Sequence, residues 1–103
     1  IRDGKSTKGL VVEHCLINDC IKYIANNVKF EGMINFQFIE NDNGTLYFLE
    51  VNPRIAGGMA LGFAATENWI DLLVNSYVNN KKIIAKPIQY GLRMTRYYSE
   101  CFI

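Results

Sequence analysis

The feature that most constrains this chain is a pair of runs rich in β-branched and aromatic residues around Asn41-Asp42-Asn43-Gly44. Asn43-Gly44 suits a two-residue type I′ turn, because both central residues need positive φ and Asn and Gly tolerate it at least cost. Such a turn sets Asp42 opposite Thr45, Gln37 opposite Glu50 and Asn35 opposite Asn52. Side chains alternate across a strand, so Asn35, Gln37 and Ile39 share one face with Phe48, Glu50 and Asn52, while Ile34, Phe36, Phe38, Leu49 and Val51 take the other. One face reads as core and the other as half polar. A four-residue loop keeps both sets on their faces, whereas a three-residue loop or a bulge breaks the parity.

The rest of the chain is arranged around that hairpin. Arg2 to Gly9 has the composition of a loop and runs into a short strand at Val11 and Val12. From Leu16, the positions Ile17, Cys20, Ile21, Ile24 and Ala25 form the stripe of an amphipathic helix that ends near Asn26 and Asn27. Pro53 ends the second hairpin strand, and the small-residue stretch Met59 to Ala65 reads as a short helix. A further helix carries Trp69, Leu72, Leu73, Ser76 and Tyr77 on one stripe and stops near Asn79-Asn80. Lys81 to Pro87 is a connector, and Tyr90 to Ile103 reads as a last strand or strand pair. The order predicts an α+β fold over 1–103, a mostly antiparallel sheet with helices packed on one face.

Composition narrows the classes of function. With 103 residues, 50% hydrophobic and 20% charged, the chain has apolar surface for a core and too little charge for a disordered tail. Eleven Lys and Arg against ten Asp and Glu give a net charge of +1, which argues against a nucleic-acid binder. No apolar run reaches the ~18 residues that cross a bilayer, and no signal-peptide pattern is present, so no membrane partner is expected. Cys15, Cys20 and Cys101 lack CxxC spacing, so they are read as reduced, buried thiols in a cytoplasmic protein.

The half-polar hairpin face carries the chemistry. Leaving Gln37, Glu50 and Asn52 buried without partners costs about 1 to 3 kcal/mol each, and more for an ionised Glu50. These hard oxygen donors are what Mg²⁺ accepts, usually with substrate phosphates completing its shell. Arg54, just after Pro53, can meet a phosphate with its planar fork. Together these residues read as a nucleotide phosphate site. The competing reading is a solvated strand end with a surface ion pair.

Gln37 followed by Glu50-Val51-Asn52-Pro53-Arg54 resembles the metal-binding signature of the ATP-grasp superfamily, most closely that of carbamoyl phosphate synthase large chain-like proteins. The resemblance implies that Gln37, Glu50 and Asn52 hold Mg²⁺, with Mn²⁺ as a substitute, and that Arg54 contacts phosphate and acts in catalysis. Gly57-Gly58 and the run to Ala65-Thr66 are similar to the family's continuation, and Arg2 to Gly9 to its phosphate-proximal loop. Arg2 and Lys5 are therefore candidate ATP contacts, and Asn35 a candidate support for the cofactor from the same face as Gln37. The likeness covers the C-terminal part of an ATP-grasp domain. It implies that the N-terminal half lies outside this chain and that a lone 103-residue fragment is inactive. The implied activity is an ATP-dependent ligase that activates a small carboxylate through an acyl phosphate. The alternative is a non-catalytic α+β interaction or scaffold module with a vestigial ATP-grasp site. Either way, the docking face left bare is expected to support a homo-oligomer. His14, the one histidine, is read as a helix-cap or packing residue, and Arg93, Arg96, Tyr97 and Tyr98 as an ordinary mixed strand.

Overall fold

The structure, a computed structural model, describes residues 5–103; Arg2, one of the expected ATP contacts, lies outside them. The elements run β1 (Lys8–Leu10), α1 (Cys15–Asn27), β2 (Asn35–Glu40), β3 (Leu46–Asn52), α2 (Met59–Ala65), α3 (Trp69–Asn79) and β4 (Arg93–Thr95). The fold is α+β, and both sheets are antiparallel pairs, β2 with β3 and β1 with β4. The chain divides into two compact units, one of Glu13–Ala56 and one that joins the residues up to Val12 to Gly57–Ile103.

The first unit is helix α1 and the β2–β3 hairpin. His14 caps α1 as expected, its Nδ1 accepting from the Ile17 amide at 3.3 Å, while Nε2 lies 3.4 Å from Glu40 Oε1. That cap satisfies one of the donors a helix leaves open at its start. Ile17, Ile21 and Ile24 form the half-buried stripe, narrower than expected because Cys20 and Ala25 are exposed.

The turn differs from the sequence expectation. The Asn41 amide donates to the Thr45 carbonyl at 3.0 Å, so Asn41, not Asp42, stands opposite Thr45. Asp42, Asn43 and Gly44 make a three-residue loop, with Gly44 in the left-handed region at φ 79°. The reason is Asn41 itself, whose side-chain Oδ1 accepts from Asn43 N at 3.1 Å and Thr45 N at 2.8 Å. This side-chain turn competes successfully with the type I′ geometry. A second departure lies further along β3, where Gln37 pairs with Glu50 but Phe38 pairs with Phe48, so Leu49 is a bulge without a partner. Each irregularity shifts the register by one residue, and they cancel. Asn35–Asn52 and Gln37–Glu50 therefore pair as expected, while Phe48 moves to the apolar face beside Phe38, ring centroids 5.5 Å apart. Phe30 and Phe36 add a second edge-to-face contact at 5.7 Å. Such pairs are worth ~0.5 to 1.5 kcal/mol each beyond their burial.

In the second unit, β1 pairs Gly9 with Met94, and further backbone bonds extend the ladder from Thr7–Arg96 to Val11–Leu92. The strand thus begins before the expected Val11 and Val12. Leu61 of α2 comes so close to β1 that a Cβ on Gly9 would sit 2.7 Å from its Cδ2, so a larger residue there requires the Leu61 side chain to shift. Helix α3 is capped by Asn68, whose side chain accepts from Ile70 N and Asp71 N, and ends at Asn80 in the left-handed region. Trp69, Leu72, Leu73 and Ser76 are half-buried as the stripe predicts, but Tyr77 is 70% exposed. Gln89 bonds to the Ala65 carbonyl and Lys86 pairs with Glu67, tying down the connector.

Burial is sparse. Ala65 is the one buried hydrophobic residue among those described, and the expected core face of the hairpin is only half covered. Cys15, Cys20 and Cys101 are free and exposed, which corrects their reading as buried thiols. Among the described residues no helix is long and apolar enough to cross a membrane.

Two substitutions, one at the hairpin turn and one at Gly57, separate backbone conformation from packing. Gly44→Ala adds a methyl group at φ 79° with only Glu40 Oε1 near it at 3.9 Å, and is expected to cost about 1 to 2 kcal/mol. Gly57→Ala adds the same group in open space without positive φ, and should be neutral or stabilise by up to about 1 kcal/mol. Thermal unfolding of both variants checks this, at about 4 to 8 °C per kcal/mol for a domain of this size.

Candidate functional site

The site is built by the hairpin register. Residues paired across an antiparallel sheet project to the same face, so the Gln37–Glu50 and Asn35–Asn52 pairs bring four polar side chains together at the end of β2 and β3 away from the turn. Gln37 and Glu50 are exposed, and Asn35 and Asn52 are half-buried. Asn52 Nδ2 donates to Glu50 Oε1 at 2.8 Å. That bond holds the two side chains of β3 in one orientation and leaves the second Glu50 oxygen and the Asn52 amide oxygen available as acceptors.

The donor set suits a hard cation. It offers one carboxylate and three carboxamides, all oxygen donors, on one accessible face. A single negative charge among neutral amides holds Mg²⁺ weakly by itself, so the chemistry fits a cation that arrives with phosphate oxygens already in its shell. Among the described residues, no group of three or more His, Cys, Asp or Glu side chains is placed to hold a metal ion.

The motif's last two residues redirect the backbone. Pro53 has no amide to continue the ladder, and the Arg54 amide closes a tight turn onto the Asn52 carbonyl at 2.8 Å. Arg54 is exposed, with Nη1 on the Ile55 carbonyl at 3.1 Å, which uses one of its five N–H donors. The hairpin thus gathers Asn35, Gln37, Glu50 and Asn52, with Arg54 following on the loop. Lys5 is elsewhere: it belongs to the second unit, where it lines a cleft with Thr95, Arg96, Tyr97 and Tyr98. The sequence reading placed Arg96 on an ordinary mixed strand; in the structure its Nη2 donates to the Gly57 carbonyl. No sequence signal marks that contact, since it joins residues 39 apart and depends on where β4 ends.

Comparison with known proteins gives a family match. No curated protein and no solved structure matches the chain. A family model described as ATP-grasp in the biosynthetic pathway with Ter operon matches residues 2–99, a span that contains the whole hairpin face and Arg54. With that match over nearly its full length, the chain belongs to this ATP-grasp family.

Proposed function

We propose that the chain supplies the metal- and phosphate-binding side of an ATP-grasp ligase that activates a small carboxylate through an acyl phosphate, in the manner of carbamoyl phosphate synthase-like enzymes. The observation that carries the reading is the pairing of Gln37 with Glu50 and Asn35 with Asn52 on one open face, with Glu50 and Asn52 joined by a hydrogen bond. Family membership makes ATP the expected nucleotide.

In this reading Gln37, Glu50 and Asn52 would hold Mg²⁺, and the bound ion would offset charge on the ATP phosphates. The chain's own part is positioning. Glu50 offers its free oxygen, and Asn52 fixes the other, so the carboxylate does not rotate away during turnover. Asn35 stands opposite Asn52 on β2 and adds a further amide oxygen to the same face. Arg54 retains four N–H donors for a phosphate oxygen, and its charge is permanent. Phosphoryl transfer needs alignment and charge neutralisation rather than a covalent protein intermediate, so no general base is required of this chain.

The test uses the full-length protein and Mg²⁺-dependent ATP turnover in the presence of a carboxylate panel. Glu50→Gln removes the one charge of the donor set and should lower turnover at least about a hundredfold. Absence of ATP binding and turnover in the unaltered protein would instead point to a scaffold with a vestigial site. Gln37→Leu removes a neutral donor from an exposed position, so its stability should be unchanged. Its half-saturating Mg²⁺ concentration should rise about tenfold, the effect of losing one neutral oxygen donor to the cation, about 1.4 kcal/mol. Titrating Mg²⁺ at fixed ATP measures that shift.

A further inference from the structure

Where the β1–β4 ladder ends, Lys5, Thr95, Arg96, Tyr97 and Tyr98 line a cleft of about 380 Å³. We infer that this cleft binds a small anion carrying an aromatic ring, a carboxylate or a phosphate ester. The inference draws on no residue of the β2–β3 hairpin and stands whether or not the chain acts on ATP.

Three observations converge. The volume falls in the range of small-molecule sites, ~300 to 1,000 Å³, and is ample for a single substituted ring. Two cations line it, and one is already oriented: Arg96 is half-buried, and its Nη2 donates to the Gly57 carbonyl, so the guanidinium is held by the fold rather than ordered at the ligand's expense. Its remaining N–H donors match the planar oxygens of a carboxylate or phosphate. Among the described residues, the ion pairs engage His14, Lys29 and Lys86, and none engages Lys5 or Arg96. The third observation is aromatic. Tyr97 and Tyr98 are 87% and 72% exposed, so their ring faces are available to stack on a ligand, and Thr95 adds a hydroxyl. Anion alone or ring alone would leave half of this lining unused.

The experiment is calorimetric titration of the full-length protein, without nucleotide, using benzoate, phenyl phosphate, benzamide, acetate and inorganic phosphate. Benzoate or phenyl phosphate should saturate at about millimolar concentration or below, with whichever is tighter naming the acid group. Benzamide, acetate and inorganic phosphate should each bind at least about tenfold more weakly, because each lacks either the charge or the ring. Lys5→Met and Arg96→Gln should each weaken the anion about tenfold. Lys5→Arg should retain it, and Tyr97→Leu should weaken the aromatic anion without changing the binding of inorganic phosphate. Lys5 and Tyr97 are exposed, so their variants carry the test even if Arg96→Gln disturbs the Gly57 loop. The proposal is overturned by equal affinity for benzamide and benzoate, by no saturable binding of either aromatic anion, or by unchanged affinity in the Lys5→Met protein.

Discussion

Everything the candidate site can do depends on the register of one hairpin. The side chains that could meet a metal come from two strands, and an antiparallel pair shows them to one another only if both strands keep the same parity. Here parity is kept by two irregularities that offset each other: the three-residue loop held by Asn41 and the bulge at Leu49. Either one alone would turn Glu50 toward the aromatic face of Phe36 and Phe38, where an unpaired carboxylate is costly to bury. The Phe38–Phe48 contact follows from the three-residue loop, whereas the Glu50–Asn52 bond joins residues two apart on one strand and is set by β3 itself.

Much of this was legible in the sequence because local chemistry dictated it. The α1 stripe, the span of α2 and the end of α3 at Asn79 follow from apolar spacing and from Asn and Gly at the ends. The Gln37–Glu50 and Asn35–Asn52 pairs were also predicted, though through a turn that the chain does not make. What the sequence could not convey was the choice between turn geometries of similar cost. Asn43-Gly44 favours one, and the Asn41 side chain, by taking two backbone amides, secures the other. The bulge was invisible for a different reason, since no residue type at Leu49 announces it and what it restores is the long-range pairing of Gln37 with Glu50 beyond it.

Burial shows the limit of composition more plainly. Half the residues are hydrophobic, yet only Ala65 is buried among those described. Hydrophobic content sets how much surface a chain is able to bury, while the number and length of its elements set how much it does bury. Two short antiparallel pairs and three modest helices leave large side chains such as Tyr23, Val78 and Ile84 mostly in water. Lys5 and Arg96 were separated in the sequence reading because one sat in a loop and the other in a tail; the β1–β4 ladder is what makes them neighbours around one cleft.

The pairing of loop and bulge also bears on how such a hairpin can change over time. A residue gained or lost at the tip reverses the orientation of every side chain beyond it, unless a second length change on the same strands restores the count. Tolerated length changes in this segment must therefore come in coupled steps that keep Gln37 opposite Glu50, whatever the loop. Two versions of the hairpin with different tips and differently placed bulges would present the same four oxygen-bearing side chains, while their sequences, aligned residue by residue, would seem to disagree.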